Sequence, residues 1–307
     1  MNTSIDCKQV LAKHGRTFHL ASRLLPAARR DDAALLYAFC RYIDDVADET
    51  PDKLEAEREL VAVRAELCGD SSPRLIVELF LDLASRRGLD VGAAVCLVDA
   101  VLTDLKPVRF NNDKELIRYC YGVAGTVGLL MCGVLGVRSR EALHFAIDLG
   151  IGMQLTNICR DILEDGQRDR CYIPRSRIEA KGLSQEDVIA GVCDPQILSE
   201  ITDDLLAVAE QYYSSGDQGM RDIPLPGRAA ILVAARVYRA IGWRLQRVHQ
   251  SNSLHGRTVV PTINRIFWAS RALIELLHPK YWLIRDRYHE RNLHKPLIGL
   301  PGASVNV

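Results

Sequence analysis

Residues 147–165 read Ile147-Asp-Leu-Gly-Ile-Gly-Met-Gln154-Leu-Thr-Asn157-Ile-Cys-Arg160-Asp161-Ile-Leu-Glu-Asp165, an apolar run that leads into side-chain oxygens at every fourth position. A four-residue recurrence puts Asn157, Asp161 and Asp165 on one stripe of a helix, because residues four apart stack on the same face. The stripe begins inside an apolar stretch, so it predicts a buried helix rather than a solvated acidic end. A second helical pattern, Ala33–Asp48, carries Asp44, Asp45 and Asp48, with Asp44 and Asp48 one turn apart. On its own that DDxxD string also fits a solvated acidic helix end; the second set argues for a shared site. Donor sets made only of oxygen suit Mg²⁺, or Mn²⁺ in its place, and Mg²⁺ is commonly held by a few carboxylates together with substrate phosphates.

Outward from these helices the chain keeps a three- to four-residue apolar period with no sustained alternation, which predicts an all-α fold. Further helices are expected near 74–87, 91–105, 113–137, 140–163, 199–214, 228–248 and 262–277. They are separated by Gly69–Pro73, Gly88, Pro107–Asn112, Gly216–Pro226 and Ser251–Pro261. No repeat or low-complexity linker divides the 307 residues, so one domain is expected, with a loose tail after about residue 280. Tyr119–Val137 runs 19 residues without a charge, long enough for a short membrane span. Its five glycines suit a buried helix that packs closely on its neighbours, the reading preferred for a lone span.

Lys plus Arg equals Asp plus Glu, 39 each, so there is no charge excess for holding nucleic acid. Nine cysteines without a CxxC pair predict free thiols and a cytoplasmic, reducing setting. The N-terminal stretch MNTSIDCKQVLAKHGR has charges where an export signal needs an apolar core. Arginines flank both acidic sets: Arg41, Arg160, Arg168 and Arg170. Each can fork onto a phosphate or pair with the aspartate beside it. Carboxylates, arginines and long apolar helices together point to a diphosphate on an apolar tail.

Five stretches resemble the squalene/phytoene synthases, the head-to-head prenyl synthases: HGRTFHLASRLLP (14–26), YAFCRYIDDVAD (37–48), YCYGVAGTVG (119–128), QLTNICRDILED with DRCYIP (154–165 and 169–174), and RTVVPTINR (257–265). The resemblance is strongest to bacterial phytoene synthases. It implies an isoprenoid-synthase helical bundle around a central substrate cavity, with the two aspartate-rich helices facing each other at its mouth. The metal ligands it implies are Asp44, Asp48, Asn157, Asp161 and Asp165 with Asp45 in support, holding a Mg²⁺ cluster. Diphosphate contacts would come from Arg41, Gln154, Arg160, Tyr172, Arg257 and Arg265. Thr17, Phe18, Tyr37, Tyr119, Val123 and Val127, with Gly128, would contact or line the substrate channel. Three positions depart from the family pattern: Gly15 for a serine, Arg265 for a lysine and Phe110 for a tyrosine.

The implied reaction joins two geranylgeranyl diphosphates through their C1 ends, by way of a cyclopropylcarbinyl diphosphate, to phytoene and without NADPH. The final proton goes to Tyr172 or to the departing diphosphate. Peripheral contact with a membrane is expected because substrate and product are lipids. Squalene, presqualene diphosphate or dehydrosqualene formation from the C15 substrate is the alternative within the family. A non-catalytic scaffold of the same fold is the alternative outside it, and it would be expected to lack some of the metal ligands. A head-to-tail elongating synthase normally lacks the NxxxD stripe.

Overall fold

The computed structural model describes residues 6–137, 139–256, 258–282 and 289–303. Fourteen α-helices occur among them: α1 Cys7–His14, α2 Arg16–Ser22, α3 Ala27–Glu49, α4 Lys53–Cys68, α5 Leu75–Arg87, α6 Val91–Leu102, α7 Asp113–Cys120, α8 Thr126–Leu135, α9 Glu141–Gly166, α10 Arg175–Glu179, α11 Gln185–Ala190, α12 Pro195–Gln218, α13 Leu225–His249 and α14 Thr262–Glu275. The ends follow local chemistry. Asp52, Asp90, Asn112 and Asp194 cap helix N-termini with side-chain oxygens, and Gly69 and Gly88 close α4 and α5 in the left-handed region. The sequence reading missed α1, α2, α4, α10 and α11; four of these are short or weakly amphipathic, and α4 presents charge on most of its surface.

Helix α9 is the axis of the fold. Helices α8, α12 and α13 pack along it, and a π-helical turn at Tyr121–Gly125 joins α7 to α8 across it. The charge-free stretch is therefore a buried helix with a break. The segment Asp113–Leu135 is long and apolar enough to span a membrane, yet 61% of its most apolar window is buried inside the protein. Its glycines explain how it lies so close to α9. A methyl group on Gly128 would sit 2.3 Å from the Ala146 carbonyl oxygen, and one on Gly150 would sit 2.3 Å from that of Ala124.

Among the described residues after 280, the tail is packed where a loose segment was expected. Tyr281, His294, Leu297 and Ala303 are buried. Polar contacts that apolar periodicity cannot report hold the segment down: Arg118 donates to the Pro296 carbonyl at 2.8 Å, Tyr121 to that of Pro301 at 2.6 Å and Tyr212 to that of Leu293 at 3.0 Å. The centre of the clasp is Asp148 of α9, fully buried. It meets the Nε2 atoms of His289 and His294 at 2.8 Å each and accepts from Ser215 Oγ at 2.6 Å. Burial alone would raise the Asp148 carboxyl, but these hydrogen bonds outweigh it and hold the group below the usual carboxylate range.

A depressed folded pKa gives stability that is present above the unfolded value near pH 4 and is lost as pH falls through the folded one. Asp148→Asn should therefore cost about 3 kcal/mol at neutral pH and should flatten the acid limb of the stability curve. Thermal melting of both chains between pH 7 and pH 3 checks this; parallel acid limbs would rule out the clasp as a stabilising element.

Candidate active site

Helices α3 and α9 each bring one member of their set, Asp44 and Asn157, to one cavity of about 460 Å³, while Asp45, Asp48, Asp161 and Asp165 are not among the residues that line it. Its polar lining includes Arg41, Asp44, Gln154, Asn157 and Arg160; most of the remaining wall is apolar and includes Phe18, Val123, Val127 and Met131. Tyr37 also lines it, and the expected channel position Gly128 is part of the wall. A smaller recess beside it is lined by Lys13, His14, Gly15, Thr17, Phe18 and Tyr37, so Thr17 adjoins the cavity rather than entering its main body. At Gly15 a methyl group would lie 2.8 Å from the Tyr37 ring, so the missing serine makes room for that ring. The ring of Phe18 packs between Tyr37 and Tyr238, with centroids 6.1 and 5.3 Å away.

Two of the arginines lie on neighbouring carboxylates, as the ion-pair reading allowed: Arg41 on Asp45, and Arg160 on Asp161. Asp161 has non-helical backbone angles, φ −105° and ψ 16°, inside α9. Adjacent helix positions ordinarily point apart, and this break accompanies their pairing. Asp48 is gripped from beyond the end of α9, by Arg168 at 2.7 Å and Arg170 at 3.0 Å. Burial would raise its carboxyl, but the two guanidinium groups hold it below the usual range.

A short parallel pairing sets Arg170 in place: β1 (Val108–Arg109) runs beside β2 (Arg170–Cys171), entered through Asp169 at φ 59°. The buried Arg170 side chain reaches Asp48 with one nitrogen and the Asp104 backbone carbonyl, at 3.1 Å, with another. Asp104 is the residue that the sequence reading missed. It accepts from the hydroxyls of Tyr119 and Tyr172, both at 2.8 Å, while the two tyrosine rings stack at 4.7 Å with Phe110 against them. Tyr119 and Tyr172 thus stand behind the carboxylates and are not among the residues that line the cavity. The only sequence signal for Asp104 is an acid in an otherwise apolar helix end, Ala100–Leu105.

Electrostatics mark the same place. Burial pushes the Asp44 carboxyl up to about 7; Arg41 offsets part of this, while Asp48, Asp104 and Asp45 add to it. Burial and then Asp161 push Asp165 up to about 8, with Arg170 opposing. Burial raises Asp104 to about 6 against the pull of Arg170 and its tyrosine donors. Asn157 donates to Gln154 at 3.2 Å, yet its side-chain oxygen is buried with no hydrogen-bond partner. Raised carboxyls and a buried, unmatched carbonyl oxygen are what a hard divalent cation would relieve, so this donor set fits Mg²⁺. Asp148, His289 and His294 also gather ligand atoms within 4.8 Å. They lie on the far side of α9, nine residues back from Asn157, and form the hydrogen-bonded clasp. Arg265 donates to Thr262 Oγ1 at 2.8 Å, away from the cavity lining, and Arg257 lies outside the described residues.

Residues 11–264 match the family described as squalene/phytoene synthase. The chain belongs to that family. It is 33% identical to a 15-cis-phytoene synthase from Pantoea ananas over 255 residues, 79% of this chain and 82% of the relative. It is 38% identical to a phytoene synthase from Thermus thermophilus, across 76% of this chain and 80% of the relative. A dehydrosqualene synthase crystal structure superposes with a TM-score of 0.76 at 25% identity, covering 88% of this chain and 95% of the other. A squalene synthase from Alicyclobacillus acidocaldarius, 21% identical with a TM-score of 0.70 over 80% and 92% of the two chains, shares the fold. The all-α isoprenoid-synthase architecture expected from the motifs is the one observed.

The raised carboxyls carry a stability signature. A carboxyl with a folded pKa above its unfolded one keeps its proton in the folded chain longer, so stability falls as pH rises between the two values. Asp165→Asn should therefore melt higher than the parent at pH 9 in EDTA, and lose that advantage at pH 4. An equal or lower melting point at pH 9 would show that Asp165 is not destabilised by burial.

Proposed function

We propose that the protein condenses two geranylgeranyl diphosphates through their C1 ends, via prephytoene diphosphate, to phytoene. The observation that carries this reading is the meeting of Asp44 and Asn157, from separate helices, in one cavity whose wall is mostly apolar. Such a cavity suits an anionic head and a long hydrocarbon tail. Support for the C20 substrate comes from relatives that carry the name phytoene synthase. The dehydrosqualene synthase likeness keeps the C15 substrate as the second reading.

Asp44, Asp48, Asn157, Asp161 and Asp165, with Asp45 beside them, are the residues that would hold Mg²⁺. When bound, Mg²⁺ neutralises the diphosphate and makes it a better leaving group. Arg41, Gln154 and Arg160 orient the diphosphate at the polar lining; Arg41 and Arg160 exchange their aspartate partners for phosphate oxygens as they do so. Phe18, Tyr37, Val123 and Val127 exclude water from the allylic cation left behind, and the aromatic faces of Phe18 and Tyr37 favour its charge. The cation adds to the C2–C3 double bond of the second substrate, and loss of a proton from its own C1 closes the cyclopropane; a second loss of diphosphate, rearrangement and loss of a second proton give the triene centre of the product. Of the two acceptors considered for the final proton, the departing diphosphate is the better placed. Tyr172 is 6% exposed and already donates its proton to Asp104, which makes it a positioning residue for Arg170 and Asp48. Nine free cysteines, six of them buried, support a reducing, cytoplasmic setting, with contact to the membrane from which the lipid substrate comes.

Incubation with C20 or C15 diphosphate and Mg²⁺, with and without NADPH, followed by product mass, tests the assignment. Phytoene from the C20 substrate, independent of NADPH, is expected; squalene or dehydrosqualene alone would contradict it. Asp161→Asn should lower turnover by about two orders of magnitude or more, and near-normal turnover would remove Asp161 from the site. Failure to release diphosphate from any prenyl diphosphate would favour the scaffold reading.

A further inference from the structure

Helix α14 is built the wrong way round for a helix facing water. At 100° per residue, Ile263, Ile266, Phe267, Leu273, Ile274 and Leu277 fall on one face, interrupted by Ser270 alone. That face is turned outward: Ile263 is 75% exposed, Ile274 70% and Leu277 76%, whereas Ala272 on the opposite side is completely buried. Trp243, about two turns before the end of α13, and Trp282 beyond α14 are also exposed. An apolar face of this extent on an otherwise well-packed chain marks a contact surface.

The charges around it select the occupant. Residues 243–282 contain six Lys or Arg, at 244, 247, 257, 265, 271 and 280, and one acid, Glu275, which gives +5 on a chain whose net charge is zero. Glu275 is itself bound to Arg236 at 2.7 Å. The guanidinium groups of Arg247, Arg271 and Arg228 lie over Trp243, Trp268 and Trp282, with 5.1, 5.3 and 5.1 Å to the ring centroids. Tryptophans with arginines at the rim of an outward apolar helix have the composition of an interfacial helix: rings and aliphatic groups enter the acyl boundary, and cations meet acidic headgroups. A second copy of the chain would set this basic segment against itself, which opposes pairing through this face.

The surface is also connected to the cavity. Trp268 and Tyr238 pack on a small apolar cluster of Ala240, Ile241 and Val260, separate from the main core. Tyr238 lines the cavity and touches Phe18 on its other side. An apolar path therefore runs from the outer face of α14, through Trp268 and Tyr238, to Phe18 at the cavity wall.

We infer that the outer face of α14, with Trp243 and Trp282, docks the protein onto an acidic phospholipid bilayer and opens the cavity toward it. The surface stands on exposure and charge; its use for taking in substrate and releasing product rests on the prenyl-lipid reading above. Co-sedimentation of the full chain with vesicles of phosphatidylcholine, alone or mixed with phosphatidylglycerol, tests it. The protein should pellet with the mixed vesicles and be released by salt. Ile266→Glu/Phe267→Glu/Ile274→Glu should bind about tenfold more weakly or worse while releasing diphosphate from detergent-dispersed substrate at the parent rate. Arg247→Gln/Arg271→Gln, which leaves the apolar face intact, should lose the preference for acidic lipid. Parent protein left in the supernatant, or both variants binding like the parent, would overturn the assignment. So would a dimer in sedimentation velocity that the triple variant dissolves, which would give the face to a second copy. Vesicle binding without diphosphate release from any prenyl diphosphate would leave the surface standing and refute the catalytic reading instead.

Discussion

Burial of several carboxylates at one place is the constraint on which the rest of the structure depends. Asp44, Asp104 and Asp165 all have their carboxyls raised first by burial and then by neighbouring carboxylates, with Asp104 adding to both of the others. A chain gains nothing in stability from such an arrangement. It is held because the elements that carry it are fixed elsewhere: α9 by α8, α12 and α13 along its length, and α3 by Arg168 and Arg170 on Asp48. Arg170 occupies the centre, since it opposes the charge of both Asp104 and Asp165 while bonding Asp48.

Helix α9 has two opposite faces with different duties. One carries Gly150, Gln154 and Asn157 along the cavity, with Gly150 also meeting the glycine-rich segment at backbone distance, and the opposite one, carrying Asp148, takes the C-terminal clasp. Irregular backbone lies where those duties meet: the break at Asp161 and the π-turn at Tyr121–Gly125, just after Tyr119. Departures from regular helix that sit beside a functional site fit a local cost carried by the surrounding packing.

Much of this was legible in the sequence, because a helical period reports which side chains share a face. The four-residue spacings of Asp44/Asp48 and Asn157/Asp161/Asp165 put each set on one helix, α3 and α9, without showing the backbone break at Asp161, and the glycine-rich run did read as buried. What stayed hidden depends on contacts distant in the chain. Asp104 looks like an ordinary helix-end acid until Tyr119 and Tyr172, 15 and 68 residues on, meet it. The packed tail likewise depends on histidines some 140 residues from Asp148. Period alone could identify α14 as amphipathic but could not say that its apolar face is the outer one, since patterning fixes a face and not its direction.

The central claim is that carboxylates from α3 and α9 form a single metal–diphosphate site. A double-mutant cycle on Mg²⁺-dependent binding of a non-ionisable prenyl diphosphate analogue, by calorimetry with Asp44→Asn, Asp165→Asn and the pair, tests it most directly. If the two helices share one site, either substitution should remove most of the Mg²⁺-dependent affinity and the pair should bind little worse than the weaker single variant. Independent losses that add in the double variant would contradict the account.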